Sequence, residues 1–327
     1  MPAFICDYLN EITLLCDGKV TTCCIDPFGI NVFGDIHKDS YSEIQQRYKD
    51  IRRKITNNVT SMPRCKRCYN RIVESGFPKT GTYKIDPGPE DIQAFIDKEE
   101  KIIKRFVVEL TAQCNLHCNG CMQSRFDFSK YRTSMFMDLK LLKKWLGNDM
   151  SNIRLYNYGE TFLHPGSIDF CSHLKKKNKH TFIEIATNGM PLNHHEKRKQ
   201  LILSGIDYIL FSIHGSSQKI IQTYMTRRFD FDLVIEILKD LVTIKTEMAL
   251  DKPVLIWKYL LFEWNDSDTE INRAIELTRE IGLDNIIFDL VSYPSPSKRF
   301  TRDSDNWKKL RDGCRFENHE DAFTKKE

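Results

Sequence analysis

Three closely spaced cysteines constrain this chain more than any other feature. Cys114, Cys118 and Cys121 lie in the run LTAQCNLHCNGCMQS, with the spacing C-x3-C-x2-C. Three thiolates on one short loop can hold three corners of an iron–sulfur cube, which leaves the fourth iron without a protein ligand. Clusters that mainly pass electrons have four cysteine ligands, whereas an open position on a metal allows a substrate or cofactor to bind. The spacing therefore predicts a catalytic iron–sulfur site.

A zinc knuckle is the alternative explanation for these cysteines. It would need a fourth ligand nearby, and His117 lies inside the loop, where its geometry is awkward for that role. The preceding run 106–111, FVVELT, has the apolar and β-branched composition of a short strand. The cysteines therefore follow the carboxyl end of a strand, which is the catalytic edge in βα barrels.

Composition limits the class of protein. A chain of 327 residues can form one large domain and a small one. It has no apolar run of membrane-spanning length and no visible secretory signal, so we expect a cytoplasmic protein without a membrane partner. In a reducing compartment its eleven cysteines indicate metal binding or catalysis rather than disulfides. The net charge is only +4, and the basic runs 175–177 and 197–199 are typical of solvated helix faces, so we expect no nucleic-acid partner.

Strand and helix patterns alternate along the chain from residue 106 onward. The predicted strands are 106–111, 152–157, 181–186, 207–213, 253–262 and 285–291. The predicted helices are 138–147, 167–178, 194–204, 231–247 and 268–281, and a charged helix at roughly 90–101 precedes the series. This alternation predicts an α/β fold built from parallel βα units. Six units are too few for a closed eight-stranded barrel.

The cysteine loop and its flanks resemble the radical S-adenosylmethionine (SAM) enzymes. The resemblance implies a partial (β/α)6 TIM-like barrel with a SAM-binding [4Fe-4S] cluster held by the three cysteines. The segment NYGET, with Gly159 and Glu160, resembles the family's glycine–glycine–glutamate–proline segment, which meets the SAM amine. A carboxylate opposite an ammonium makes a charge-assisted hydrogen bond. Tyr158 replaces the first glycine and Thr161 replaces the proline.

The ends of later predicted strands extend the resemblance. It implies that Asn188, in TNG, and Ser212, in SIHG, contact SAM, and it makes Asn265 a SAM or substrate ligand. His214 replaces the aspartate that the family has in the second of these segments. The residue before the third motif cysteine is usually aromatic or apolar and lies against the adenine, but here it is Gly120. Met122 or a side chain from a later strand would then have to fill that place.

The first 80 residues carry a second set of cysteines. Asp17-Gly18 between apolar runs predicts a hairpin that carries Cys23 and faces a C-x2-C loop. This pattern resembles the SPASM or twitch extension of radical SAM proteins, here placed before the barrel. The resemblance implies a second, auxiliary [4Fe-4S] cluster, whose ligands would be Cys6, Cys23, Cys65 and Cys68. Cys16 is a reserve ligand, and Cys24 could replace Cys23 because adjacent strand residues point to opposite faces. A zinc ribbon is the alternative.

These observations predict four segments in the chain. A small cysteine-rich SPASM/twitch-like domain covers residues 1–85, and a linker helix covers 86–104. The radical SAM partial barrel covers 105–292, and a C-terminal tail covers 293–327.

The resemblance implies reductive cleavage of SAM to a 5′-deoxyadenosyl radical that abstracts a substrate hydrogen. We expect dehydrogenation or epimerisation of a sugar, aminocyclitol or related small molecule, with a flavodoxin or ferredoxin as reductant. The auxiliary cluster could accept an electron from the substrate radical, or Cys314 could return a hydrogen atom. The alternatives are a maturase that crosslinks or oxidises a peptide or protein, and a zinc-binding protein without catalytic activity.

Overall fold

The computed structural model describes residues 2–75 and 83–313, and the chain divides into two compact units. The first unit contains Met1–Asn115 and Met122–Ile185, and the second contains Leu116–Cys121 and Ala186–Glu327. The division therefore falls within the three-cysteine loop and within one strand.

The first unit combines the cysteine-rich N-terminal segment with the first strands of the βα series. Its strands are β1 Phe4–Cys6, β2 Ile12–Leu14, β3 Lys19–Thr21, β4 Val32–Asp35, β5 Tyr83–Ile85, β6 Arg105–Val108, β7 Asn152–Arg154 and β8 Phe182–Thr187, the last of which continues into the second unit. Its helices are α1 Tyr41–Asn57, α2 Pro63–Ser75, α3 Pro89–Ile96, α4 Glu99–Ile102, α5 Met122–Arg125, α6 Leu139–Trp145 and α7 Ser167–Lys177.

Parallel pairing joins the N-terminal hairpin to the βα series. Strands β6, β7 and β8 pair in parallel, and β2 pairs in parallel with β6. Antiparallel pairing then adds β3 and β4 beyond β2, while β1 and β5 form a separate antiparallel pair. The expected hairpin turn is present, with Gly18 at φ +88° and the Leu15 amide donating to the Lys19 carbonyl at 2.9 Å. The hairpin of this cysteine-rich segment is therefore an extension of the parallel sheet. The prediction that the hairpin strand carries Cys23 and Cys24 is wrong, because β3 ends at Thr21 and both cysteines follow it.

The second unit continues the alternation of strands and helices. In chain order it contains α8 His195–Leu203, β9 Tyr208–Ser212, α9 Gln218–Met225, α10 Phe231–Glu247, β10 Val254–Leu261, α11 Asp268–Ile281, β11 Asn285–Leu290 and α12 Asp305–Gly313. Strand β10 pairs in parallel with both β9 and β11. No helix in the described ranges is both long and apolar enough to cross a membrane.

The elements predicted from residue 106 onward are all present, with ends that differ by a few residues. The predicted α/β class with parallel strands is confirmed. The predicted helix at roughly 90–101 is divided into α3 and α4.

The prediction that the C-x2-C pair lies on a loop is wrong. Cys65 and Cys68 lie on α2, which begins at Pro63. Proline is favoured in the first turn of a helix because its missing amide would have no helical partner there. Residues three apart on a helix share a face, so this helix presents both thiols on the same side.

Helix α1 stabilises the N-terminal hairpin through hydrogen bonds. A reciprocal cap starts it, because the Ser40 hydroxyl accepts from the Glu43 amide and the Glu43 carboxylate accepts from the Ser40 amide. The fully buried Tyr48 donates through its hydroxyl to the carbonyls of Glu11 (2.8 Å) and Thr22 (3.2 Å). One side chain thus donates to backbone carbonyls next to both β2 and β3.

We predict that Tyr48→Phe lowers the free energy of unfolding by about 1–3 kcal/mol, because two buried carbonyls lose their donor. Urea unfolding under anaerobic conditions measures this change. Tyr131→Phe, at an exposed tyrosine, is the matched control and should stay within about 0.5 kcal/mol of the wild type. Equal losses in the two variants would contradict the role assigned to Tyr48.

Candidate cofactor site

Four cysteines of the N-terminal segment lie within electrostatic reach of one another. Burial raises the pKa of the Cys6 thiol to about 12, and the charges of Cys68 and Cys65 add to this shift. Burial raises the pKa of Cys23 strongly, with further contributions from Cys24, Cys65 and Cys6. Burial raises the pKa of Cys65 to about 11, and the charge of Cys68 adds to this shift. The charges of Cys65 and Cys68 thus act on Cys6, and those of Cys65 and Cys6 act on Cys23; these are the four residues expected to hold the auxiliary cluster.

The two reserve cysteines have different neighbours. Burial raises the pKa of Cys24 to about 12; the charge of Glu11 raises it further and that of Arg154 lowers it. The buried Cys16 thiol donates to the Ser134 carbonyl at 3.1 Å, and Glu109 is the largest charged contributor to its raised pKa. The charged groups that act on Cys16 and Cys24 thus differ from those that act on Cys23.

Three of these thiols lie in apolar surroundings. An apolar cluster packs around Cys6, Cys65 and Cys68; its buried members are Phe4, Leu9, Ile55, Val59, Ile72 and Phe95. The buried Asn31 amide donates to the Cys65 sulfur at 3.3 Å. Soft thiolates suit iron–sulfur clusters, and hydrogen bonds to the sulfur atoms tune them. Across residues 2–75 and 83–313, no three His, Cys, Asp or Glu side chains lie close enough together to hold a single metal ion.

Sequence reasoning did not identify Asn31. It lies eight residues beyond Cys23, between Gly29 and β4. No local pattern distinguishes it from an ordinary loop asparagine, because its partner Cys65 is distant in the sequence.

Gly159 and Glu160 lie against the start of the three-cysteine loop. The Glu160 amide donates to the Gln113 carbonyl at 2.8 Å. A Cβ atom at Gly159 would lie 1.9 Å from the Thr111 carbonyl oxygen, so only glycine permits this approach. The Glu160 side chain is 3% exposed, and its Oε1 accepts from the Phe162 amide at 3.2 Å. The glutamate is thereby fixed next to the residue that precedes Cys114.

Cys118 and Cys121 lie on the part of the loop that belongs to the second unit. The Cys121 amide donates to the Cys118 carbonyl at 3.1 Å, and the intervening Gly120 has φ +86°. A Cβ atom at Gly120 would lie 2.9 Å from a ring carbon of Tyr293, a residue that is 53% exposed. A tyrosine ring from the loop after β11 therefore lies beside the position where an aromatic or apolar side chain was expected. The sequence predicted that Met122 or a side chain from a later strand would fill this place, but it did not identify Tyr293.

Asn188 and Ser212 lie at the carboxyl ends of β8 and β9. Asn188 is 6% exposed, and its Oδ1 accepts from the Met190 amide at 3.1 Å. Gly189, between Asn188 and Met190, has φ +84°, which bends the chain sharply after β8. Ser212 is half-buried as the last residue of β9.

His214 and Asn265 support the backbone beyond β9 and β10. Burial lowers the pKa of His214 to about 3, so the ring is neutral, and its Nδ1 accepts from the Leu260 amide. Asn265 is fully buried; its amide nitrogen donates to the carbonyls of His214 and Leu260, and its oxygen accepts from the Phe262 amide. Both side chains are engaged in holding the chain in place. Cys314 lies outside the described residues.

Tyr158 connects the glycine–glutamate segment to the cysteine-rich hairpin. Its hydroxyl donates to the Cys24 carbonyl at 2.9 Å, and its ring stacks on Phe128 with the centroids 5.4 Å apart. The bulky residue that departs from the family pattern thus contacts the residue next to Cys23. The two candidate cofactor regions share this contact within the first unit.

We predict that Gly159→Ala destabilises the first unit by about 2 kcal/mol or more, because the new methyl group collides with backbone atoms rather than a movable side chain. Gly88→Ala is the matched control, since the atom nearest to its added Cβ is a side-chain oxygen 3.8 Å away. Denaturant unfolding followed by circular dichroism measures both. A Gly159→Ala protein as stable as Gly88→Ala would contradict the described contact.

Two family models match the chain. The radical SAM superfamily model matches residues 108–247. The SPASM model, an iron–sulfur cluster-binding domain, matches residues 6–69. Together these segments contain all seven cysteines predicted as ligands. No curated protein matches the chain.

Solved structures with partial similarity include archaeal TYW1, at 14% identity, a TM-score of 0.31 and 47% coverage of each chain. Methylornithine synthase (PylB) has 11% identity and a TM-score of 0.43, with 63% of this chain and 61% of that chain covered. The radical SAM methyltransferase TsrM from Kitasatospora setae has 9% identity and a TM-score of 0.43, with 56% and 36% covered. This chain thus spans less than two thirds of each of these proteins.

The family models, the cysteine spacing and the α/β architecture agree with one another. The cofactors are a [4Fe-4S] cluster, SAM and additional iron–sulfur at the SPASM domain. The chain carries a segment that matches the radical SAM superfamily at residues 108–247 and, on its N-terminal side, a segment that matches the SPASM iron–sulfur cluster-binding domain at residues 6–69.

Proposed function

We propose that the three-cysteine loop holds the SAM-binding cluster through Cys114, Cys118 and Cys121, and that Cys6, Cys23, Cys65 and Cys68 hold the auxiliary cluster. The first assignment is supported mainly by the contact of Gly159 and Glu160 with the backbone that leads into Cys114. The second is supported by the apolar cluster that packs against Cys6, Cys65 and Cys68, and by the charges of Cys65 and Cys6 that act on Cys23. We further propose residues 1–85 as the auxiliary domain, 86–104 as a linker, 105–292 as the radical SAM domain and 293–327 as a tail.

The bound cluster and SAM would supply a 5′-deoxyadenosyl radical that removes a hydrogen atom from the substrate. The chain's own residues provide orientation. The Glu160 carboxylate would bind the SAM ammonium, because a charge-assisted pair fixes its direction. Asn188 and Ser212 would bind SAM from the ends of their strands. We propose a positioning role for Asn265, since its amide already holds the backbone of His214 and Leu260.

The proposed reaction is dehydrogenation or epimerisation of a sugar, aminocyclitol or related small molecule. In a dehydrogenation the auxiliary cluster would take up the electron that the substrate radical loses. In an epimerisation a thiol such as Cys314 would return a hydrogen atom. A flavodoxin or ferredoxin would supply electrons to the SAM-binding cluster.

Anaerobic reconstitution with iron and sulfide, followed by dithionite and SAM, should release 5′-deoxyadenosine, measured by chromatography. We predict that Cys118→Ala abolishes this release, because the SAM-binding cluster loses one of its three ligands. Cys65→Ala should lose about half of the bound iron but retain SAM cleavage, since it removes a ligand of the other cluster.

Cys171→Ala is the matched control. Cys171 lies on α7, and its thiol donates within that helix to the Ser167 carbonyl. The iron content and SAM cleavage of the Cys171→Ala protein should therefore match those of the wild type. Release of 5′-deoxyadenosine by Cys118→Ala at the wild-type rate would refute the assignment of the first cluster. Unchanged iron in Cys65→Ala would refute the assignment of the second.

We also propose that Tyr293 lies against the adenine of SAM, in place of the side chain missing at Gly120. Tyr293→Ala should weaken SAM binding by about 2- to 10-fold, the usual size of an aromatic stacking contribution. Tyr293→Phe should retain the wild-type affinity, because it keeps the ring. Equilibrium dialysis with radiolabelled SAM measures the three proteins, with Tyr131→Ala as a control at another exposed tyrosine. Wild-type affinity in Tyr293→Ala would contradict the proposal.

A further inference from the structure

A single buried side chain joins the loop after β3 to helix α2. Asn31 is 1% exposed, and its Nδ2 donates to the Thr22 hydroxyl at 3.2 Å and to the Cys65 sulfur at 3.3 Å. Its Oδ1 accepts from the Arg64 backbone amide at 3.0 Å. Asn31 therefore contacts the loop that contains Cys23 and the helix that carries Cys65 at the same time.

The Arg64 backbone amide determines which way the Asn31 side chain points. A backbone N–H can only donate, so the atom that faces it must be the side-chain oxygen. The first amides of a helix have no partner within the helix, and Asn31 Oδ1 supplies one to Arg64 in the first turn of α2. The opposite orientation would place two donors against each other. The side-chain nitrogen of Asn31 is therefore directed at the Cys65 sulfur.

Further hydrogen bonds fix the position of Asn31. The fully buried Asp26 carboxylate accepts from the backbone amide of Asn31 at 2.7 Å and from the Thr21 hydroxyl at 2.7 Å. The Arg64 guanidinium donates to the Ile25 carbonyl at 2.8 and 3.0 Å, which connects the same loop to α2 a second time. A donor that is held in place in advance stabilises a charge without reorganisation.

Cys65 has a second side-chain partner. Burial raises the pKa of Cys65 to about 11, and the hydrogen bonds from Asn31 and Thr22 oppose that rise, because both stabilise the thiolate. Cys6 and Cys23 accept instead from backbone amides. Substitution can therefore remove the donors at Cys65 and leave the backbone donors at these two thiols in place.

The donors at Cys65 would act on the charge of a bound cluster. Reduction adds one negative charge to a cluster and its thiolates, and an N–H or O–H directed at a ligand sulfur stabilises that charge. Hydrogen bonds to the sulfur atoms are among the factors that set the reduction potential. Because the reduced form is stabilised more than the oxidised form, these donors should raise the potential.

We propose that Asn31 is a positioning residue that directs an N–H donor at the Cys65 sulfur and thereby raises the reduction potential of the auxiliary cluster, with the Thr22 hydroxyl as a second donor. The raised potential makes this cluster a better electron acceptor. The inference rests on the proposed function, which assigns Cys65 to the auxiliary cluster.

A redox titration of the anaerobically reconstituted full chain, followed by electron paramagnetic resonance, tests this inference. The auxiliary signal is the one that Cys65→Ala lacks. Asn31→Leu keeps the approximate side-chain shape without a donor. At a fixed solution potential it should lower the ratio of reduced to oxidised auxiliary cluster by about 10-fold, which corresponds to a midpoint potential lower by about 59 mV for one electron. The signal of the SAM-binding cluster should keep its wild-type potential.

Asn31→Asp separates the effect of the donor from a structural effect. It keeps the oxygen that accepts from the Arg64 amide but loses the N–H at the sulfur. A structural role alone predicts the wild-type potential for this variant. The inference predicts a potential at least as low as that of Asn31→Leu, because an anionic oxygen replaces the donor.

Thr22 provides an independent pair of variants. Thr22→Val loses the hydroxyl but keeps the side-chain shape, and its auxiliary potential should fall, whereas Thr22→Ser keeps the hydroxyl and should retain the wild-type potential. Asn57→Leu is the control for the asparagine substitutions, since Asn57 is exposed and its Nδ2 donates within α1 to the Arg53 carbonyl. This control should also retain the wild-type potential.

Two results would overturn this inference. One is a wild-type auxiliary potential in both Asn31→Leu and Thr22→Val, and the other is a wild-type potential in Asn31→Asp. If Asn31→Leu binds too little iron to be measured, Thr22→Val decides: a lowered potential supports the inference and an unchanged one overturns it. A wild-type protein without a second cluster signal would instead refute the proposed function itself.

Discussion

A buried ion pair between Glu109 and Arg132 holds the functional parts of the first unit in place. Both side chains are fully buried, and Nε of the arginine lies 2.8 Å from the carboxylate. The glutamate also accepts from the Cys16 amide and the Asn157 side chain, and the arginine donates to the Pro27 carbonyl. Breaking such a pair leaves an unpaired buried charge, which costs about 3–5 kcal/mol. The hairpin, the strand that leads to Cys114 and the segment before Gly159 all depend on this contact.

This constraint explains how an auxiliary domain can precede the radical SAM domain in the chain. The hairpin is not a separate module within the first unit, because β2 continues the parallel sheet from β6. The charges of Cys65 and Cys6 act on Cys23, whereas those of Glu11 and Arg154 act on its neighbour Cys24. Two adjacent residues therefore have different electrostatic environments.

Local patterns in the sequence predicted much of this architecture. The six strands after residue 105, the hairpin at Asp17-Gly18 and the nearness of the glycine–glutamate segment to the cysteine loop follow from periodicity, turn chemistry and strand order. Tyr293 and Asn31 could not be predicted, because the contacts of each involve residues distant in the chain. The C-x2-C spacing of Cys65 and Cys68 is typical of a metal-binding loop, whereas Pro63 at the first turn is what indicates a helix there.

The central claim is that this fold holds two thiolate-bound iron–sulfur clusters, one of which keeps an iron open for SAM. Quantifying iron, acid-labile sulfide and zinc in anaerobically purified and reconstituted protein tests it most directly. The account predicts about eight iron and about eight sulfide ions per chain, as two four-iron clusters require. Stoichiometric zinc without sulfide would contradict it.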